Sequence, residues 1–533
     1  LKKKRRNKMA NKALFSSLNK GNSTRTTVEA PQADTVNEAG GKAYAYSPEH
    51  HLAQLAATGC LNSTYYSTGE EQLDKAIELA NKCNPKFVAQ VAVFARERAF
   101  MKDMPALLCA VLAKRDVSLL KKVFSRVIDN GKMLRNFCQI VRSGKAGRKS
   151  FGSAPKRLVR EWLGSRDDRR LLEASIGNDP SLADIIKMVH PKAKDNARSA
   201  FYAYLLGKEH KRRDLPEIVR AYEDYKAGDT KAVPDVPFQL LTALKLGKKE
   251  WTEIALNAKW HMARMNLNTF QRHGVFESKQ ATQAVADKLR DPEAIRRSKV
   301  FPYQLLVAYL NAADIPQSVS NALQDAMEIA CENVPEIDGK VYVFPDVSGS
   351  MSSPVTGQRG SITSKMRCID VAALVAAALV RKNAESEVIP FESHVEHVKI
   401  NPRDSIMTNA AKLASIGGGG TNCSAPLAEL NSRKAKGDLL VYVSDNESWV
   451  DSSYGWRGST GVMEEWAKFK ERSPKAKMVC IDIQPNGSTQ AVERKDILNV
   501  GGFSDEVFTI ISDFAAGRLD SGHWVGEIER ISL

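Results

Sequence analysis

The spacing of apolar positions changes character once along the chain, near residue 338. From about residue 46 to 333 they recur at helical intervals. Phe87, Val91 and Phe94 fall at i, i+4 and i+7 behind Pro85, with Val88, Ala92 and Ala95 one position over, which predicts a helix with one broad buried stripe. Val319, Leu323, Met327 and Ala330 repeat the pattern behind Pro316. Gly144, Gly164, Pro180, Pro191, Gly228, Pro234 and Pro237 break this stretch into short helices with no strand between them. Such a pattern belongs to paired helices stacked as an irregular solenoid or closed ring.

Beyond residue 338 short apolar runs alternate with helical stretches. Val341–Phe344, Glu387–Phe391, Leu439–Val443 and Met478–Ile483 read as strands, and 370–382 as one of the helices between them. That alternation predicts a doubly wound, mostly parallel sheet. The expected organisation is a multidomain α and α/β chain: a flexible arm over 1–40, a helical ring over 41–337, and an α/β domain over 338–533.

Length agrees, since 533 residues exceed one ordinary domain. The longest apolar run, Val371 to Val380, is half of what a membrane-spanning helix needs, and no secretory signal follows the basic start Leu1–Lys8, so a cytoplasmic protein is expected. Eight cysteines without a CxxC spacing read as reduced and mostly buried, and His394 with His397 lacks the partners of a zinc site.

Charge divides the chain where the pattern does. Residues 1–340 carry +19 and residues 341–533 carry −3, and residues 101–150 alone hold 12 basic against 3 acidic side chains. A polyanion partner for the first part follows, and nucleic acid is favoured over a membrane because no basic amphipathic helix has an aromatic face.

The second part carries a metal-binding pattern. Asp346, Ser348 and Ser350 directly follow the first apolar strand, where open α/β sheets place their ligand sites. Asp445 follows the strand Leu439–Val443 in the same way, and Thr421 sits behind the flexible run Gly417–Gly420. Five hard oxygens from three loops suit Mg²⁺ or another divalent cation. No residue is assigned a catalytic role: no G-x-S-x-G elbow surrounds Ser348 or Ser350, and Gly144–Ser150 has neither the spacing nor the preceding strand of a phosphate-binding loop.

These five residues resemble, one by one, the metal-ion-dependent adhesion site of the von Willebrand factor A domain. A basic helical domain ahead of such a domain resembles the Ro ribonucleoprotein family, whose first part is the TROVE domain. The resemblance covers nearly the whole chain from about residue 36, and within a family that has bacterial as well as animal members it implies a bacterial-type one. It is carried by Val36–Gly41, Ser63–Tyr66, Gly152–Leu163, Met188–Lys192, Arg264–Asn268 and Lys299–Tyr303, then by Gly420–Cys423, Ser444–Glu447 and Gly502–Phe503.

The resemblance implies a ring of HEAT-like repeats closed by the second domain around a basic hole. Single-stranded 3′ ends of misfolded noncoding RNAs enter the hole, and small Y-like RNAs bind the outer surface. It further implies a role in RNA quality control, with a tether to a 3′ exonuclease such as polynucleotide phosphorylase. A closed ring suits a monomer.

Lys145, Arg148, Lys149, Lys156, Arg157 and Arg160 form a basic run beside glycines, suited to salt-dependent phosphate binding. His190 matches a family histidine linked to Y RNA, but the family's basic residues just upstream are replaced by Ser175–Pro180, which shifts outer contacts toward Lys187, Lys192, Lys194 and Arg198. Arg264, Asn266, Asn268, Arg272 and Lys299 are candidates for lining the hole. The alternatives from other classes are a metal-dependent protein scaffold and a Mg²⁺-dependent nuclease.

Overall fold

The computed structural model describes residues 30–533, apart from 149, 299, 301, 313, 333, 335, 360–361, 364–365, 454–457, 503 and 520–521. Lys149 and Lys299 therefore lie outside the described residues.

Among the described residues, nineteen α-helices between Pro48 and Ala330 build the first part. The stripe behind Pro85 becomes the helix Pro85–Glu97, with Phe87, Val88, Val91, Ala92, Phe94 and Ala95 all buried. Asn84 caps it by accepting from Lys86 N. Gly144 and Gly228 end their helices in the left-handed conformation, where the lack of a Cβ removes the steric cost. Gly164 does not break a helix: it lies within Ser153–Ser165, one residue before its end.

Helices pack chiefly on others one to three places along the chain, and both ends of the array dock on the second part. At one end the helix Pro48–Thr58 lies against the strand Ile497–Gly501, and Pro85–Glu97 against the C-terminal helix His523–Glu529. At the other, Gln317–Ala330 lies against Ile406–Ala414, where Glu328 pairs with Arg381 at 3.2 Å and accepts from Ile406 N at 2.8 Å. The helical array is thus a ring closed by the second domain.

That domain holds a five-stranded parallel sheet in the order Ile497–Gly501, Lys477–Asp482, Leu439–Ser444, Val341–Pro345, Glu387–Val388. Its four longer strands are buried on both faces, which explains their continuous apolar runs. Val341, Val343, Val441 and Val479 enter the core shared with Cys368–Lys382 and the ring. The alternate residues Tyr342, Phe344, Tyr442 and Met478 enter a second core with Leu427, Trp466 and Phe469. The fifth strand, Ile497–Gly501, is absent from the sequence expectation, and the edge strand closes after Val388 rather than at Phe391.

The expected arm of residues 1–40 gives way by residue 30 to chain laid on the second domain. Lys42–Ala45 pairs antiparallel with Ser488–Thr489 and with Thr35–Val36, and Ala30, Ala33 and Tyr44 pack into the second core. An available sheet edge and an apolar seat outweigh the polar composition of this stretch. Among the described residues no helix is long and apolar enough to cross a membrane.

Candidate metal site and nucleic-acid interface

Asp346, Ser348, Ser350, Thr421 and Asp445 are all buried, at the carboxyl end of the parallel sheet. The turn after Pro345 is fixed by its own carboxylate, for Ser348 N donates to Asp346 Oδ1 at 2.8 Å. The two serine hydroxyls then lie 3.4 Å apart. The glycine loop runs alongside: Gly349 N donates to Gly419 O at 3.2 Å and Gly418 N to Val347 O at 3.3 Å. Gly418 and Gly419 both have positive φ, a backbone that side chains rarely tolerate, and this lets the loop turn alongside Ser348–Ser350 ahead of Thr421. Thr421 is then held by Trp449 N and Val450 N, each donating to its carbonyl at 3.1 Å.

Electrostatically the site is an uncompensated pair of acids. Burial, and then the charge of Asp445, push Asp346 up to about 7. Burial likewise raises Asp445, against a hydrogen bond from Ser350. No lysine or arginine is among the dominant influences on either group. Two buried carboxylates with two serine hydroxyls, and with no cation of the described residues as a dominant influence on either acid, fit a hard divalent ion.

Three neighbours escaped sequence reasoning. Ser444 donates to Asp346 Oδ2 at 2.6 Å, and the strand-end position beside Asp445 was its only signal. Glu447, buried beside Asp445, is pushed up to about 9 mainly by that burial, and accepts from Ala39 N at 3.3 Å. Tyr66, from the first part of the chain, lies near the site: burial and then the charges of Asp445 and Glu447 raise its hydroxyl, against Ser350, and local spacing does not link residues so far apart.

The basic residues behave differently from the expectation. Lys145 pairs with Glu70 at 3.0 Å, Arg148 donates to the Ala113 carbonyl, Arg157 lies 4.0 Å from Glu161, and Arg160 donates to the Val189 carbonyl. Lys156 shares the helix of Arg157 and Arg160, Ser153–Ser165. Arg264 is buried with Nη1 on the Gln304 carbonyl at 2.7 Å, and Asn268 Nδ2 holds the Asn311 carbonyl at 2.7 Å, so both serve helix packing. Arg272 turns back on Asn268 O at 3.4 Å. His190 is an exposed left-handed cap of the helix Leu182–Val189, with Lys187, Lys192 and Lys194 also exposed. Arg198 is buried on the carbonyls of Leu163 and Arg166, so it is no surface contact.

A cavity of about 1260 Å³ opens instead between the two arms of the ring. Lys132, Arg135, Arg166, Arg169, Arg170, Lys259 and His261 line it, facing Asp129, Glu173 and Asp235, and Asn266 is the one predicted residue among them. Lys102 lies close by, its ammonium lowered by burial and then by Lys132 and Arg96. His261 is lowered by burial and then by Arg264 and Lys102. Cations that disfavour one another around an open space make a setting that suits an anion.

Residues 340–515 match the family described as the Ro60 vWA domain, and residues 187–329 match the TROVE domain. The chain belongs to the Ro family. An RNA-binding protein RO60 from Deinococcus radiodurans is 24% identical over 522 residues, covering 91% of this chain and 95% of that protein. The RNA-binding protein RO60 of Caenorhabditis elegans is 23% identical over 249 residues, 44% of this chain and 37% of that one. The crystal structure of the Deinococcus radiodurans RO (RSR) protein has the same fold, with a TM-score of 0.58 at 18% identity, covering 89% of this Ro-family chain and all of that one.

Proposed function

We propose that this chain is a non-catalytic RNA-binding protein that admits unpaired RNA ends into the cavity of its helical ring. The observation that carries this reading is the cavity wall, where Lys132, Arg135, Arg166, Arg169, Arg170 and Lys259 exceed the facing carboxylates. Support comes from the family, two of whose members are named as RNA-binding proteins. Backbone contacts of this kind are sequence-tolerant and salt-dependent. A closed ring selects by access: a single strand fits between the arms, a duplex stays outside, and a defect in structure rather than a base sequence is recognised.

Under this reading Y-like RNA binds outside, at exposed residues such as Lys187, His190 and Lys192, and RNA delivered to the ring passes to a partner such as a 3′ exonuclease. Asp346, Ser348, Ser350, Thr421 and Asp445 would hold Mg²⁺, which supplies a positive charge between the two acids and a coordination position for an oxygen ligand. The test compares a structured RNA bearing a single-stranded 3′ tail with its blunt form, in a gel-shift titration at two salt concentrations. Tighter, salt-sensitive binding of the tailed RNA is expected; equal binding of both forms sinks the threading mechanism.

A further inference from the structure

Arg169 faces the cavity from the helix Asp168–Ala174, and Asp235 meets it from the far arm, out of the irregular chain between Gly228 and Phe238. The contact is a two-pronged fork: Arg169 Nη1 to Asp235 Oδ2 and Nη2 to Oδ1, both at 2.9 Å. Nη1 also holds the Asp235 carbonyl at 3.0 Å. The Asp235 side chain is otherwise 90% exposed. Lys259 adds a second, weaker attraction on the same carboxylate.

The other two acids of the lining are placed differently. Asp129 takes Arg96 at 2.6 Å, and Glu173 lies on the helix of Arg169 itself, 3.8 Å from its Nε. Among the described lining residues, Asp235 alone reaches across the cavity to a cation on the opposing arm. Pro234 and Pro237 stiffen the segment that carries it, and Val233, Pro234, Val236 and Pro237 also line the cavity.

We infer that Asp235 is a built-in stand-in for phosphate, and that residues 229–237 are a strap held over the cavity by Arg169, which an entering RNA strand displaces from that guanidinium. The inference rests on the RNA reading of the cavity. The guanidinium fork matches a carboxylate and a phosphodiester alike, so the exchange conserves both hydrogen bonds. One exposed ion pair is weak, but it suffices to turn away a single phosphate that offers Arg169 nothing better. A strand presents several phosphates to several cations at once and wins the exchange by their sum. Asp235 thereby sets a threshold that admits polyanionic strands and refuses mononucleotides.

The test uses the full chain and a fluorescent 12-residue oligouridylate, with uridine monophosphate as competitor. Asp235→Asn is expected to bind the oligomer about fivefold tighter at low salt, and the monophosphate is expected to compete with it but not with the wild type. Equal or weaker binding by Asp235→Asn overturns the strap. Amide hydrogen exchange of residues 229–237 reads the same step without a substitution: the oligomer should speed it in the wild type, and unchanged or slower exchange overturns the inference. Paired reversal, Lys132→Glu with Arg135→Glu, separates the two readings. If it leaves oligomer affinity intact, the cavity is not the RNA site and the strap falls with it; if it weakens binding while Asp235→Asn does nothing, only the strap falls.

Discussion

Ser444 Oγ donates to Asp346 Oδ2 at 2.6 Å, joining positions 98 residues apart. The two sit at the ends of adjacent parallel strands, so the last residue of one orients the carboxylate that follows the other. Asp346 spends its second oxygen on Ser348 N. A carboxylate held from both sides has one orientation left for a cation.

Ser444→Ala should therefore weaken Mg²⁺ or Mn²⁺ binding by about tenfold or more, the size seen when a group behind a metal ligand is removed. Asp445→Asn should abolish it. Isothermal titration with Mg²⁺, or the Mn²⁺ electron paramagnetic resonance signal, measures both; wild-type affinity in either variant would show that these residues do not hold a metal.

Reversal of Lys132 and Arg135 should weaken binding of the tailed RNA and flatten its salt dependence, by about 0.7 in log–log slope for each phosphate that no longer meets a cation. Lys145→Glu lies outside the cavity, on a side chain already paired with Glu70, and should leave both affinity and slope near wild type. Affinity measured by fluorescence anisotropy over a salt series distinguishes them, and the opposite order would return the RNA site to the 145–160 run.

Arg198→Met should lower the thermal midpoint by several degrees. Its side chain is 2% exposed and ties the Leu163 carbonyl at 3.0 Å, the Arg166 carbonyl at 2.9 Å and Asp168 at 3.1 Å, so it joins its own helix to the two that meet near residue 166. Losing such buried partners costs about 3 kcal/mol. Differential scanning calorimetry reads the shift; an unchanged midpoint would mean the helix ends are satisfied by other groups.

Acid should loosen the joint between ring and sheet. His50 is buried in the stack with Tyr46, 4.2 Å between ring centres, and near Trp524, while Tyr46 donates to Asp482 Oδ2 at 2.6 Å. Burial and then His51 lower His50 to about 3, and burial with Lys75, opposed by Glu78, lowers His51 to about 4. Both values lie below the 6.5 of a free imidazole, so the unfolded chain takes up the protons first. Their contribution is whole above pH 6.5 and is lost as pH falls toward 4 and 3, by about 1.4 kcal/mol per pH unit for each histidine. Denaturation midpoints between pH 7 and 4.5 test this, and His50→Gln should flatten the decline.

The stripe behind Pro85, the four apolar strands and the loop positions of the five oxygen-bearing residues at the sheet's carboxyl end were all legible in the sequence, because each rests on local spacing. A period of 3.6, a two-sided apolar run, or a carboxylate just past a strand end needs no distant partner to be recognised. The strand Ile497–Gly501 was not legible: it is defined by pairing with Lys477–Asp482 and by the cover of the helices Pro48–Thr58 and His523–Glu529, not by its own composition.

The same distinction governs the charges. Sequence alone determined that the excess of +19 lies in the helical part and that Asp346, Ser348, Ser350, Thr421 and Asp445 lie in loops of the other. Only the tertiary structure decided which cations face an open cavity. Arg198, Arg264 and Arg148 hold carbonyls of neighbouring helices, whereas Lys132 and Lys259 come from segments more than a hundred residues apart to share one cavity with Arg166 and Arg169. A guanidinium that closes a helix end and one that lines an open cavity look identical along the chain. They differ in whether the fold places a carbonyl within reach, and ring closure settles that through contacts far apart in sequence.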